Sequence, residues 1–139
     1  MRVHREIQLD ADLEQVWAAL TDPDELASWM GGPVDLDVRP GGAGCFTDDD
    51  GTVRHARVGT VDPERRLSLR WWPDDGAVSE VTFELCPTET GTRLLVTETP
   101  LESTTAQAYP AQASAAKASY WEARLDNLWL RVSAAALVA

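Results

Sequence analysis

The segment running from Ala111 to Val132, AQASAAKASYWEARLDNLWLRV, decides the fold. It contains no Gly or Pro and is rich in strong helix formers, and Trp121, Leu125, Leu128 and Val132 recur at the spacing of one helical face. That face has to be buried. Followed backwards, the same stripe passes through Ala118 and Ser114, so it is bulky towards its C-terminal end and nearly bare towards its N-terminal end. A helix packed tightly at one end and lined with small side chains at the other predicts a cavity beside its first half.

Immediately upstream, Pro100 to Pro110 is rich in Thr, Gln and Ala and reads as an irregular connection, the expected gate to that cavity. Before it, from Val34 to Thr99, the hydrophobic period is two. Six strands are expected: around Val34–Val38, Cys45–Phe46, Thr52–Val61, Arg66–Trp72, Val81–Leu85 and Leu94–Thr99, separated by short turns such as Pro40-Gly41-Gly42, Asp48-Asp49-Asp50-Gly51, Asp74-Asp75-Gly76 and Glu89-Thr90-Gly91. Turns this short join antiparallel neighbours, because parallel pairs need long crossovers. Glu98 falls on the inward phase of its strand with Leu94 and Val96. The strand holding His55 does not alternate cleanly through Ala56, Val58, Gly59 and Val61, which predicts a bulge and leaves His55 more a surface residue than a catalytic one.

At the other end, residues 2–9 alternate as a half-buried strand, with Val3, Ile7 and Leu9 inward and His4 outward. Asp10 and Asp12 can cap a helix that carries Leu13, Val16, Trp17 and Leu20 on one face. Asp22-Pro23 opens a second helix, with Glu25 at the reciprocal position of a capping box and Leu26, Trp29 and Met30 inward. Gly31-Gly32-Pro33 ends it. A sheet with an apolar inner face needs a cover, and the last helix is the element long enough to supply it. The expected class is α+β: a curved six-stranded antiparallel sheet wrapped around a long C-terminal helix, with two short helices after the first strand.

Composition narrows function by exclusion. At 139 residues, 44% hydrophobic and 25% charged, the chain suits one soluble domain over residues 1–139. The first residues, MRVHREIQLD, contain no apolar signal core, and no stretch is long enough to span a bilayer, so a cytoplasmic protein without a membrane partner is expected. A formal charge of −11, from 23 acidic and 12 basic residues, repels phosphate backbones and makes nucleic acid an unsuitable partner. Eleven of the basic residues are Arg and one, Lys117, is Lys, a bias ascribed to coding composition. Cys45 and Cys86 lie far apart without a further Cys or His at ligand spacing, so both are expected as reduced core or half-buried thiols, with no metal and no cofactor. The three carboxylates before Gly51 do not alternate as calcium ligands do, and a solvated turn is expected there. Gly41-Gly42-Ala43-Gly44 lacks the Lys-Ser/Thr pair of a phosphate loop and reads as a turn or bulge.

In this order of elements the chain resembles the START-like, helix-grip (SRPBCC) superfamily, and within it the branch named for the activator of the heat-shock chaperone ATPase. The resemblance rests on Val16-Trp17-x-x-Leu20-Thr21-Asp22-Pro23, Leu26-Ala27-x-Trp29, Pro40-Gly41-Gly42, Val61-Asp62-Pro63-x-x-Arg66-Leu67-x-Leu69-x-Trp71, Gly91-Thr92-Arg93-Leu94 and Trp121-x-x-x-Leu125-x-x-Leu128, which together cover nearly the whole chain. Three positions depart from the family pattern. Met30 stands where a second Trp is frequent, Gly44 where an aromatic is usual, and Tyr120 where Gly is frequent. The first two are expected to enlarge or soften a cavity and the third to fill or cap part of it.

Ligand-binding residues are expected at Trp29, Met30, Phe46, Trp71, Phe83, Glu98, Tyr120 and Trp121 around the cleft between helix and sheet, where the resemblance places Trp29, Trp71 and Trp121, while Trp17 and Trp129 are expected to fill the core. An inward carboxylate needs a partner, so Glu98 either orients a ligand or pairs with an Arg such as Arg57 or Arg124. The leading expectation is a protein that binds a small apolar or aromatic molecule and is more a binder than an enzyme. Two alternatives stand beside it. One is a chaperone-associated or regulatory interaction domain using an exposed apolar patch that includes Trp72. The other is a polyketide cyclase-like or hydrolase-like enzyme with Glu98 as its catalytic carboxylate, helped by an Arg or Tyr120. A homodimer through an exposed strand or helix is also left open.

Overall fold

A computed structural model describes residues 2–74, 76–101 and 111–138, with side chains of the last helix described from residue 117 to 133. The elements follow the order β1 (Val3–Leu9), α1 (Leu13–Thr21), α2 (Pro23–Met30), β2 (Val34–Leu36), β3 (Ala43–Thr47), β4 (Val53–Asp62), β5 (Arg66–Pro73), β6 (Ser79–Thr88), β7 (Gly91–Pro100) and α3 (Ala111–Val138). They form an antiparallel sheet of seven strands in the order β1-β7-β6-β5-β4-β3-β2, with α3 packed against β1 and α2. The sheet has one strand more than the six of the meander. β1 returns to pair with β7, from Val3 opposite Glu98 to Leu9 opposite Thr92, and so buries its own apolar phase on the same face.

Local chemistry explains most boundaries. Asp12 caps α1 by accepting from the Gln15 amide at 2.9 Å, and the Gln15 side chain accepts in return from the Asp12 amide. Asp22 caps α2 through the Asp24 amide at 2.9 Å. Glu25 does not complete a capping box there; its carboxylate instead receives two hydrogen bonds from Arg131 of α3, tying α2 to the long helix. Gly31 ends α2 at φ 98°, a left-handed conformation that costs Gly little. The expected bulge lies in β4, where register shifts between Val58 and Val61.

The predicted stripe of α3 is buried at Trp121, Leu125, Leu128 and Val132. The helix continues past Val132 to Val138, and buried Ser133 accepts from the Asp10 amide at 3.0 Å, which fixes that continuation to the end of β1. Cys45 is half-buried, whereas Cys86, on the outward phase of β6 with Glu84, is exposed rather than buried; both are free thiols. The connection expected as a gate falls, from residue 102 to 110, outside the described residues, as do Asp75 and the side chain of Ser114. Among the described residues no helix is long and apolar enough to cross a membrane.

Candidate functional site

The inward phases of β3, β4, β5 and β7 bring Phe46, Arg54, Trp71 and Glu98 to one end of the sheet, facing Lys117, Tyr120 and Trp121 on α3. Glu98 is the centre of this group. It is 1% exposed, and its oxygens accept from three side chains: Trp121 Nε1 on Oε1 at 3.0 Å, and Trp71 Nε1 at 3.0 Å and Lys117 Nζ at 2.8 Å on Oε2. Its partner is therefore Lys117 and two indoles, not Arg57 or Arg124. Arg57 donates to the Gly41 carbonyl, and Arg124 lies beside Asp48 and Asp49. Burial alone would raise the Glu98 pKa. The Lys117 charge and the three donors outweigh that effect and hold the carboxyl below its ordinary 4.5, so it stays ionised. A carboxylate whose oxygens are engaged in this way is an anchor; as a general base it would first have to release its donors.

A second charged group adjoins the first. Asp48, expected in a solvated turn, is instead buried, and only Asp49 and Asp50 face water. Asp48 pairs with Arg54, accepts from Tyr120 Oη at 3.3 Å and lies 3.7 Å from Arg124 Nη2. Two guanidiniums lie over the Tyr120 ring, with Arg54 Cζ 5.1 Å and Arg124 Cζ 4.6 Å from its centroid, and Arg54 lies equally close to Trp71. Desolvation and the Asp48 charge push the Tyr120 hydroxyl up to about 12, against the opposing pull of the two arginines. Spectrophotometric titration near 295 nm is expected to show one phenol ionising at about 12, and Tyr120→Phe should remove that late step. A Tyr120 step near 10 would show the hydroxyl to be in water.

Trp71, Glu98 and Tyr120, with Arg54 and Lys117, line a pocket of about 210 Å³ between sheet and helix. Trp121 stacks on Trp71 with centroids 5.6 Å apart, and Phe46 meets Trp71 edge-on at 5.5 Å, so both support the pocket from behind. Met30, Phe46 and Phe83 border a separate apolar void of about 10 Å³, scarcely room for one water. Trp29 lies deeper still, donating to the Ala19 carbonyl at 2.9 Å and packing edge-on against Phe83. Trp17 and Trp129 are half-buried at the core margin.

Of the two outcomes expected from the departures at Met30 and Gly44, enlargement of the interior does not occur. A Cβ on Gly44 would stand 2.5 Å from Leu36 Cδ1 and 3.0 Å from the Asp35 carbonyl oxygen, so Leu36 occupies the space an aromatic would take. Gly44→Phe is therefore expected to destabilise the fold by about 1–3 kcal/mol in urea denaturation, with Leu36→Ala recovering part of the loss. Full stability in the single variant would show that Leu36 can swing clear.

Arg54, Lys117 and Asp48 were not among the residues expected at the site, and Arg124, expected as a partner for Glu98, pairs with Asp48 and Asp49 instead. The available signal was Lys117, the one lysine in 139 residues. Among the described residues no cluster of three His, Cys, Asp or Glu side chains forms a metal site.

Residues 10–130 match the sequence model of the family described as Activator of Hsp90 ATPase homolog 1-like protein. The chain belongs to that family. Several solved structures superpose along nearly the whole chain. Protein MLL2253 from Mesorhizobium loti is 27% identical with a TM-score of 0.79, over 92% of this chain and 93% of that one. CalU16 from Micromonospora echinospora is 25% identical with a TM-score of 0.73, over 95% and 74%. The Aha1 dimer from Colwellia psychrerythraea is 20% identical with a TM-score of 0.78, over 96% of both chains, a likeness of fold. No match was found among the curated proteins.

Proposed function

We propose that this chain binds a small molecule with an aromatic body in the pocket between the sheet and α3. The observation that carries the reading is the pocket of about 210 Å³ lined by Arg54, Trp71, Glu98, Lys117 and Tyr120. It combines aromatic walls with a few fixed polar groups, the usual anatomy of a ligand site, and its volume lies below the roughly 300 Å³ at which drug-sized sites begin. The ligand is accordingly small. The packed interior void does not provide the binding space; the polar mouth beside Tyr120 does.

Glu98 serves this reading as a positioning group that fixes the Trp71 and Trp121 rings. Native mass spectrometry of freshly purified protein, followed by titration of small aromatic metabolites against Trp emission, provides the test. A saturable change carried by Trp71, and lost in Trp71→Phe, supports the proposal. A flat response across the panel together with a ligand-free native mass would sink it.

The interaction-domain reading has less support. Trp72 is half-buried against His55, and the large hydrophobics exposed among the described residues are Leu101 and Leu130. Self-association is favoured by one observation, the relative solved as a dimer. Sedimentation velocity would distinguish a 15.2 kDa species from one twice as heavy.

A further inference from the structure

The balance of donors, acceptors and charges around this pocket names the charge of its ligand, an inference that rests on the binding reading above. The acceptors there are already engaged. Both Glu98 oxygens receive donors, from Trp71, Trp121 and Lys117, and the Asp48 oxygens face Arg54, Tyr120 and Arg124. The donors are in surplus. A guanidinium carries five N–H groups, and Arg54 gives a hydrogen bond only from Nη1 among the described residues, while its side chain remains 18% exposed at the pocket.

Charge points the same way. Arg54, Arg124 and Lys117 bring three positive charges to the group, whereas Asp48 and Glu98 are its two buried carboxylates. Asp49 also pairs with Arg124 at 3.8 Å but is 73% exposed, so water weakens that pair. In a chain with a net charge of −11, three of the twelve basic side chains gather at this one place. It is also walled by rings, so charge–charge contacts there are attenuated less than at the open surface.

We propose that the pocket selects a planar anion, an aromatic or conjugated carboxylate. Its oxygens accept from the unused N–H groups of Arg54, and its body contacts the parts of Trp71 and Tyr120 that line the pocket. Planar bidentate recognition is what distinguishes Arg from Lys at such a position. The binding is non-covalent, and no proton transfer is required.

Calorimetry on the full chain with three probes of matched shape tests this: 1-naphthoate, 1-naphthamide and 1-naphthylmethylamine. Naphthoate is expected to bind roughly tenfold more tightly than the amide, as one additional charge-assisted contact provides, and the amine most weakly. In a folded Arg54→Gln variant the preference for naphthoate over the amide should largely vanish, and Arg54→Lys should retain part of it. Equal binding of naphthoate and amide, or a preference for the amine, overturns anion selection while leaving the pocket reading intact. Failure of all three probes to bind overturns both. A naphthoate preference that persists unchanged in folded Arg54→Gln overturns the role of Arg54. The comparison in the native chain decides the ligand's charge even if that variant does not fold.

Discussion

Glu98→Gln is expected to lower unfolding free energy by about 3 kcal/mol, the low end of the range for removing one partner of a buried ion pair. At about 3–4 °C per kcal/mol for a domain of this size, that is a fall of roughly 10 °C in Tm. The low end applies because Lys117 is 29% exposed and can recruit water when its partner is neutralised, whereas Glu98 itself is 1% exposed. The amide also fits the site poorly, since Gln can offer only one acceptor oxygen where three donors converge. The loss should depend on pH in a defined direction. The Glu98 pKa is lower folded than its ordinary 4.5, so the stabilisation is fully present above about pH 4.5 and disappears as pH falls through the folded value. The stability gap between native chain and variant should therefore be constant from pH 7 to 5 and narrow on further acidification. Denaturant melts of both proteins at pH 7, 5 and 3 measure it, and the many other carboxylates largely cancel in the difference. A gap of the same size at pH 3 would mean that shape, not charge, is what Gln fails to supply.

How far the sequence reveals this site depends on whether a residue's role is set by its own strand or helix. Trp121, Leu125, Leu128 and Val132 were legible because helical period alone places them on one face. Glu98 was legible as inward because strand period places it with Leu94 and Val96. Its partner was not, because nothing local says which of twelve cations a fold brings to it, and the choice is made by the register of β7 against α3. Asp48 was misread for a related reason. A run of three aspartates before Gly51 has the composition of a wet turn, yet the first of them still belongs to the inward phase of β3, two residues after Phe46. Departures from the family pattern were likewise legible as changes of size but not of outcome. Deleting an aromatic at position 44 makes room only if no neighbour takes the space, and Leu36, across the β2–β3 pair, takes it. The seventh strand was visible as a strand; its membership of the sheet followed only from pairing across 90 residues of chain.

Trp121→Ala is expected to be the most damaging truncation at the site, at about 3–5 kcal/mol, the range for a buried large aromatic replaced by Ala. The ring is 1% exposed and contacts Trp71, Phe83 and Tyr120, so no single neighbour can collapse into the space it leaves. Trp121→Phe separates packing from hydrogen bonding. It keeps a ring beside Trp71 but takes the donor from Glu98 Oε1, and the unmet buried acceptor should cost about 1–3 kcal/mol. Because Trp121 and Glu98 share that bond, combining Trp121→Phe with Glu98→Gln should lose less than the sum of the two, by a coupling of about 0.5–3 kcal/mol. Strict additivity in chemical denaturation would show that the indole and the carboxylate stabilise the fold independently. Trp121→Phe and Arg54→Gln together separate stability from recognition. Trp121 supports the pocket from behind Trp71 without lining it, so Trp121→Phe should weaken the fold while leaving the naphthoate-to-naphthamide ratio near its native value. Arg54→Gln should lower both, because it also takes a partner from buried Asp48. If Trp121→Phe moved the ratio as well, the aromatic stack and the charged mouth would be one cooperative unit, and ligand binding would be inseparable from the packing of α3 on the sheet.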